Sequence, residues 1–167
     1  MEKITLKDLI SKYPKIFQNY EGNPGGVNWT GVPQGWLPII DKLCGSIQSY
    51  IDHTKRSVPN PQYVEGTEWK ADDITTHKYV SIMPGQVTCV QMKEKFGGLR
   101  FYTNGHDDVV DGMITMAEYL CDNTCDECGS EEDLGITSGW ISVKCRKCVI
   151  GHGDRAMTNW KSKNELT

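Results

Sequence analysis

The stretch that decides the fold of this 167-residue chain is CDECGSEEDLGITSGWISVKCRKC, from residue 125 to residue 148. Its four cysteines follow the spacing C-x2-C-x16-C-x2-C. Two short C-x2-C turns at this spacing can surround one ion with four thiolates, which is the donor set of a structural zinc site. We therefore predict one Zn2+ per chain, with the ligands Cys125, Cys128, Cys145 and Cys148. A four-thiolate iron–sulfur cluster is the alternative.

A closed site of four thiolates leaves no coordination position for water or substrate, so it indicates structure rather than catalysis. The stretch is also acidic, with five Asp or Glu residues against three Lys or Arg residues. The basic residues Lys144, Arg146 and Lys147 are expected to offset the charge of the thiolates. His152, four positions after the last cysteine, is interpreted as a surface residue rather than a substitute ligand.

Composition and charge narrow the class of protein. Hydrophobic residues make up 38% of the chain and charged residues 24%, which is typical of a globular domain. The N-terminus lacks the apolar core of a signal peptide, and no stretch reaches the roughly 20 apolar residues of a membrane-spanning helix. We expect a cytoplasmic protein without a membrane partner. A net charge of -4 disfavours broad affinity for nucleic acid.

The remaining three cysteines are interpreted as structural. The chain has seven cysteines, an odd number, and four of them belong to a pattern that needs reduced thiols, so disulfides are not expected. Cys44, Cys89 and Cys121 lie among apolar residues, where a thiol behaves as a small hydrophobe. Cys121 could also replace Cys125 as a metal ligand if the end of the helix that carries Cys121 frays.

Two helices are predicted in the first third of the chain. Thr5 is placed to cap the first helix, which extends towards Tyr13, and Asp8 lies in its first turn. The second runs from Trp36 to Asp52, where apolar residues recur every three or four positions and Pro38 falls in the first turn. The apolar stripe of this helix is predicted to pack in the core.

Two segments lack a regular period. Residues 19–35 are rich in Gly and Pro and are interpreted as a loop, with Trp29 as its candidate contact residue. This loop is not a phosphate-binding loop, because no Gly-Lys-Ser/Thr follows its glycines. Residues 57–73 have little helical or strand period and are interpreted as an insertion.

The middle of the chain predicts a β-hairpin. The runs VTCVQMKEKF (87–96) and LRFYT (99–103) flank Gly97 and Gly98, as in a tight turn that needs positive φ angles. Strict alternation places Val90 and Met92 on one face of the first strand.

Charged residues of the hairpin have two interpretations. Glu94 with Lys93, Lys95 and Arg100 is interpreted first as cross-strand charge pairing, and second as an anion site.

A helix is predicted after the hairpin, capped by Asp107 or Asp108 and packed on the hairpin. Its apolar residues are Val109, Val110, Met113, Ile114, Ala117 and Leu120.

Together these elements predict an α+β protein with a small antiparallel sheet built on the hairpin, packed helices and a C-terminal zinc ribbon or knuckle. The predicted divisions are an α+β body at 1–120, a four-cysteine zinc module at 121–150 and a C-terminal tail at 151–167. The tail contains Trp160, which suggests that it docks on the rest of the chain.

Several motifs resemble those of one family. They are GWLP (35–38), QMKEKFGGLRFY (91–102), TCDECG (124–129) and GW (139–140), with an Ala-Glu-containing helix after the second. In these motifs the chain resembles small accessory proteins of tailed, T4-like bacteriophages that bind zinc through four cysteines. The resemblance implies a phage accessory protein acting in the cytoplasm of an infected bacterium. The family lends no activity, so no catalytic residue follows from it, and residues 59–73 lie outside the match.

Three functional hypotheses follow. The first is non-catalytic binding of a host protein, as a takeover or counter-defence factor on a zinc-braced scaffold. The second is a nucleic-acid-binding zinc ribbon that uses the basic residues of the hairpin and of 144–147. The third is a small metal-dependent hydrolase built on His106 and Asp107, although these residues also suit an ordinary turn and helix cap. The candidate binding surface comprises Trp29, Lys93, Lys95, Arg100, His106 and Asp107.

Overall fold

The computed structural model describes residues 4–18 and 31–165, so most of the loop predicted at 19–35 lies outside the described residues. Within those ranges the chain forms α-helices and small antiparallel sheets, so the predicted α+β class is confirmed. The helices are α1 (Leu6–Lys12), α2 (Leu37–His53), α3 (Asp108–Asp122), α4 (Arg146–Gly151) and α5 (Asp154–Thr158). The strands are β1 (Arg56–Pro59), β2 (Tyr79–Ile82), β3 (Thr88–Lys95), β4 (Gly98–Asn104), β5 (Leu134–Thr137), β6 (Val143–Cys145) and β7 (Trp160–Ser162).

Both N-terminal helices form as predicted. Thr5 caps α1, and the side chains of Thr5 and Asp8 each accept a hydrogen bond from the other residue's backbone N–H. A 3-10 turn at Gln34–Trp36 leads into α2, which has Pro38 in its first turn. The apolar stripe of α2 is buried in the main core.

The turn of the hairpin differs by one residue from the prediction. Phe96 and Gly97 form it, with φ angles of +54° and +78°. Gly98 is already part of β4, where it pairs with Lys95. Positive φ at two successive positions is the requirement of a primed turn, which matches the twist of the two strands.

The face assignment of β3 is corrected by a β-bulge between Cys89 and Gln91. The bulge inserts one residue and therefore reverses the alternation on either side of it. Cys89 and Met92 are both fully buried, whereas Val90 is 40% exposed. The prediction that Val90 shares a face with Met92 is therefore wrong.

α3 packs against β4 and α2 with only one of its two apolar stripes. Val110, Ile114 and Ala117 are buried. Val109 and Leu120, which the sequence predicts to pack on the hairpin, are 48% and 42% exposed. The helix therefore presents a second apolar stripe to solvent.

Residues 56–82 form an arm closed by β1 and β2, two strands that the sequence pattern did not predict. The arm is organised by polar contacts, because none of its residues belongs to the main apolar core. The Asn60 side chain donates to the carbonyls of Ile74 and His77, at 2.5 and 2.8 Å. The hydroxyl of Thr76 donates to the carbonyl of Lys70 at 2.9 Å.

The C-terminal third forms a three-stranded sheet in the order β6-β5-β7. The segment predicted as a tail thus supplies β7, which pairs with β5. Trp160 anchors this strand, because its Nε1 donates to the carbonyl of Lys144 at 2.9 Å and the Arg146 guanidinium lies 4.6 Å from its ring centroid.

The sheet of the C-terminal third and the helical body meet at Gly35 and Trp36. The Gly35 N–H donates to the carbonyl of Asp126 at 2.7 Å, and Trp36 Nε1 donates to the carbonyl of Thr124 at 3.1 Å. A Cβ atom on Gly35 would lie 2.2 Å from the carbonyl oxygen of Cys125, so a larger residue cannot make this approach.

Candidate metal centre

The first cysteine pair lies in a tight turn directly after α3. The Gly129 N–H donates to the carbonyl of Cys125 at 2.9 Å and closes the turn. Gly129 has a φ of +78°, a left-handed conformation that glycine adopts without a steric penalty. This turn holds Cys125 buried and Cys128 exposed.

The second pair lies at a strand-to-helix junction. Cys145 is the last residue of β6 and the N-cap of α4, and Cys148 lies within α4. The module is therefore one knuckle, a β5–β6 hairpin and a short helix, which differs from a ribbon built on two knuckles. The helix fixes the spacing of the second pair, since Cys145 and Cys148 are separated by about one turn.

The geometry of the four sulfurs suits a metal ion. All four Sγ atoms lie within 4.8 Å of one another, and those of Cys128 and Cys145 are 3.6 Å apart. A tetrahedral ion with metal–sulfur bonds of about 2.3 Å places its sulfurs about 3.8 Å apart. Four thiolates complete such a shell, so this donor set can hold an ion in place without leaving a position for substrate.

Backbone N–H groups stabilise the thiolate of Cys125. Burial opposes its ionisation, but the N–H groups of Cys128, Cys145 and Glu127 outweigh burial and lower the pKa of the Cys125 thiol. These donors come from both halves of the module. Such N–H contacts orient the ligand and favour the charged form that binds metal.

Most basic side chains beside the centre are paired with carboxylates. Lys144 Nζ lies 2.7 Å from a carboxylate oxygen of Asp126 and 3.2 Å from one of Glu127. Arg146 Nε lies 2.8 Å from a carboxylate oxygen of Asp133. The positive charges that the sequence assigns to the thiolates are therefore shared with acidic neighbours. They are poorly placed to bind nucleic acid as well.

His152 is a surface residue, as predicted. Its Nε2 lies 2.6 Å from a carboxylate oxygen of Glu127, and its side chain is 52% exposed. The hydrogen bond from His152 is the main cause that lowers the pKa of Glu127. This contact ties the end of α4 to the first cysteine turn.

The three other cysteines are fully buried, as predicted, and lie outside the four-sulfur cluster. Burial raises the pKa of Cys89 and of Cys121 to about 12. Burial also raises the pKa of Cys44. These thiols are neutral at physiological pH, so Cys121 is poorly suited to replace Cys125 as a ligand.

The structure brings together three residues of the predicted binding surface. Lys93 and Arg100 are direct cross-strand partners, and Lys95 lies on the same side of the hairpin. Glu94 pairs with Leu99 on the opposite side and accepts a hydrogen bond from the Gly97 N–H at 2.6 Å. Cross-strand charge pairing with Glu94 is therefore wrong, because like charges face each other on this hairpin.

His106 and Asp107 lie at the other end of β4, away from those cations. Asp107 is the N-cap of α3, and one carboxylate oxygen accepts from the N–H groups of Val109 and Val110. Its other oxygen accepts from the Tyr50 hydroxyl at 2.9 Å and from the Arg56 guanidinium. Both oxygens are engaged, so the carboxylate acts as a cap and anchor. Trp29 lies outside the described residues.

Two surface features were missed by the sequence patterns. A groove of about 480 Å³ lies between α2 and α3 and is lined by exposed residues of the second α3 stripe. A cavity of about 330 Å³ lies between the hairpin turn and the β5–β6 loop, where Phe96 is 73% and Trp140 is 82% exposed. The sequence did carry a signal for the groove, which is the helical spacing of Val109, Met113, Met116 and Leu120. A helix needs one apolar face to pack in the core, so a second apolar face is free to line a surface.

Comparison with protein-family models, with curated proteins and with solved structures gives no match to this chain. Among residues 4–18 and 31–165, no helix combines the length and the apolar character needed to cross a membrane.

Proposed function

We propose that this chain is a non-catalytic protein-binding factor, held in shape by one structural zinc ion, that engages a host protein through the groove between α2 and α3. The observation that carries the proposal is the exposed apolar stripe of α3. Met116 is 59% exposed, and Val109 and Leu120 are 48% and 42% exposed. Contiguous apolar side chains that remain in water typically mark a contact surface.

The shape and chemistry of the groove favour a protein ligand. Its floor and walls are supplied by two helices, with Ile39 and Leu43 on α2 facing Met113 and Met116 on α3. Methionine side chains are flexible and polarisable, which suits a surface that adapts to the side chains of a partner. A partner helix that presents apolar residues every three or four positions would fill a groove of this kind.

The zinc assignment rests on the donor set. Four thiolates at tetrahedral spacing suit Zn2+, and a closed shell of this kind contributes folding energy. The ligands that would hold the ion are Cys125, Cys128, Cys145 and Cys148. The ion would fix the first cysteine turn against β6 and α4, next to the hydrogen bonds by which Gly35 and Trp36 join the module to the body. An iron–sulfur cluster is distinguished from zinc by elemental analysis and visible absorption.

The identity of the partner as a host protein comes from the resemblance to accessory proteins of T4-like phages. On that basis the protein acts in the cytoplasm of an infected bacterium, as a takeover or counter-defence factor. A hydrolase at Asp107 is disfavoured because both carboxylate oxygens accept hydrogen bonds from protein groups.

The experiment that tests the proposal is quantitative affinity capture from nuclease-treated bacterial lysate, with the wild type and two matched variants. Met116→Glu places a charge in the groove, whereas Met83→Glu places the same charge at a methionine that is 42% exposed and lies outside the groove. Purified partner is then titrated against each protein. We expect a stoichiometric complex for the wild type and Met83→Glu, and at least a tenfold weaker one for Met116→Glu, about 1.4 kcal/mol.

Zinc content and circular dichroism serve as controls for folding of each variant. Equal binding by Met116→Glu and wild type would remove the groove from the proposal. Failure of the wild type to retain any host protein would overturn host-protein binding itself.

A further inference from the structure

We propose that the outer face of the β3–β4 hairpin binds single-stranded nucleic acid. This activity goes beyond protein binding at the α2–α3 groove and uses a different surface. The outer face is defined by six residues: Gln91, Lys93, Lys95, Gly98, Arg100 and Tyr102.

The strand register creates this face. The pairs Lys93 with Arg100 and Lys95 with Gly98 alternate along the hairpin with the pair of Met92 and Phe101. Met92 and Phe101 are buried in the main core, so the alternate pairs point away from it. Three cations therefore lie on one side of two adjacent strands, within reach of consecutive phosphates of a bound strand.

These cations have no carboxylate partner in the part of the chain that the structure describes. Among the described residues, no N–O distance of 4.0 Å or less joins Lys93, Lys95 or Arg100 to an Asp or Glu. The Arg100 guanidinium donates to its neighbouring carbonyl at Leu99, and Lys93 Nζ donates to Gln91 at 2.6 Å. Like charges on facing residues destabilise a hairpin, and a polyanion across them would relieve that repulsion.

Aromatic rings are interleaved with the cations. Tyr102 lies on the outer face, is 47% exposed and has Lys93 Nζ 5.6 Å from its ring centroid. Phe96 projects at the turn, is 73% exposed and has Lys95 Nζ 5.4 Å from its centroid. Exposed rings beside cations are the combination by which proteins stack unpaired bases while they neutralise phosphates.

The same surface continues towards the C-terminal sheet. Arg100 and Lys163 line a cavity of about 320 Å³ beside Phe96. Trp140 lines the other cavity, of about 330 Å³, on the opposite side of the hairpin turn. Asp122 also lines the cavity with Arg100. Glu94 lines the cavity on the other side of the turn together with Lys95. Across the two cavities the cations Lys95, Arg100 and Lys163 therefore outnumber the two carboxylates, on a chain whose net charge is -4.

A single strand is favoured over an acidic protein segment and over a duplex. The outer face has few aliphatic side chains with which to build the apolar centre of a protein interface. Its rings need bases that are free to stack, and duplex DNA keeps its bases stacked on each other.

The test is fluorescence anisotropy of labelled oligothymidylate and oligouridylate of about 15 nucleotides, titrated with the zinc-loaded protein. If three cations contact phosphates, log K against log salt should have a slope of about -2 for single strands. Arg100→Ala and Lys93→Ala should each reduce that slope by about 0.7. Tyr102→Ala should weaken binding about tenfold by removing a stacking surface. The two probes distinguish DNA from RNA as the preferred strand.

Matched controls lie on the arm. Lys78→Ala removes the same charge at an exposed position, and Tyr79→Ala removes a tyrosine that is 55% exposed. Both should leave affinity and salt slope unchanged. Equal losses in these controls, equal binding to a duplex of the same length, or displacement of the probe by polyglutamate at equal charge would each overturn the proposal. Failure of both single-stranded probes to bind would overturn it as well.

Discussion

The helical body and the cysteine module are held together by different forces. Among the described residues, the main core gathers twenty buried residues from α1, α2, α3, the hairpin and the segments next to them, including Trp36, Leu99 and Phe101. The second cluster contains only four among the described residues, Cys125, Leu134, Val143 and Cys145, and two of these are predicted metal ligands. A cluster this small buries little apolar surface to offset the entropy of ordering its strands, so a metal ion that cross-links the four sulfurs would add stability where the module has least.

The two regions also differ in how their basic side chains are paired. In the module, Lys144 and Arg146 are paired with carboxylates, whereas on the hairpin Lys93 and Arg100 face each other and have no carboxylate partner among the described residues. The basic residues of this small protein therefore lie in two different settings. Those in the module are neutralised by acidic neighbours, and those on the hairpin face one another.

Removal of the metal should have the largest effect, and it should affect the cysteine module but not the helical body. Cys145→Ser, or treatment with a strong chelator, should abolish zinc binding and unfold the module, because such sites contribute on the order of 10 kcal/mol at neutral pH. Hydrogen exchange should show loss of amide protection across β5, β6 and β7, and retained protection in α2 and the hairpin.

Cys121→Ala is the matched control, since Cys121 is equally buried but lies outside the sulfur cluster. It should retain one zinc per chain. Zinc retained at full stoichiometry by Cys145→Ser would contradict Cys145 as a ligand. Collapse of both regions together would show that the two regions do not depend on separate forces.

A smaller effect is expected from a substitution in the apolar core of the helical body. Phe101 is 3% exposed, and Phe101→Ala should lower the free energy of unfolding of the body by about 3–5 kcal/mol, because a large cavity replaces the ring. Urea unfolding followed by circular dichroism measures this change. Phe96→Ala, at a residue that is 73% exposed, should change stability by less than about 0.5 kcal/mol. Similar values for both variants would contradict the assigned core.

The smallest effect concerns the polar contact that joins the arm to the body. Burial tends to raise the pKa of Asp107, but the Val110 N–H, the Tyr50 hydroxyl and the Arg56 charge outweigh it and lower that pKa. The folded protein therefore binds this proton less readily than the unfolded chain. The resulting stability is present above a pH of about 4 and is lost as the pH falls through the lowered pKa.

Asp107→Asn keeps a helix-capping side chain but removes the charge. We expect the variant to be less stable than the wild type by about 0.5 to 1 kcal/mol at pH near 6, and the difference to shrink steadily as the pH falls below about 4. Urea titrations across this range measure it. A difference that grows towards acidic pH would reverse the assigned sign.

Much of the fold could be predicted from the sequence, because local patterns specify several of its elements. Thr5 and Asp8 satisfy the first N–H groups of α1 within the first turn, the apolar period of α2 matches one helical face, and Asp107 caps α3. The C-x2-C pairs also predicted that their four sulfurs meet, because two such pairs at this separation have the ligand spacing of a four-cysteine zinc site. Each of these patterns involves only residues that lie close together in the sequence.

Local patterns in the sequence specify the helices, the hairpin and the four cysteines that come together. Which side of β3 faces the core depends on long-range pairing, because the bulge after Cys89 forms only against β4. Long-range packing also pairs Lys144 with carboxylates, leaves Lys93 without one among the described residues, and places Val109 in a groove. The physical reason is that bulges, ion pairs and grooves are set by contacts between distant segments, whereas caps and helical stripes are set within a few residues.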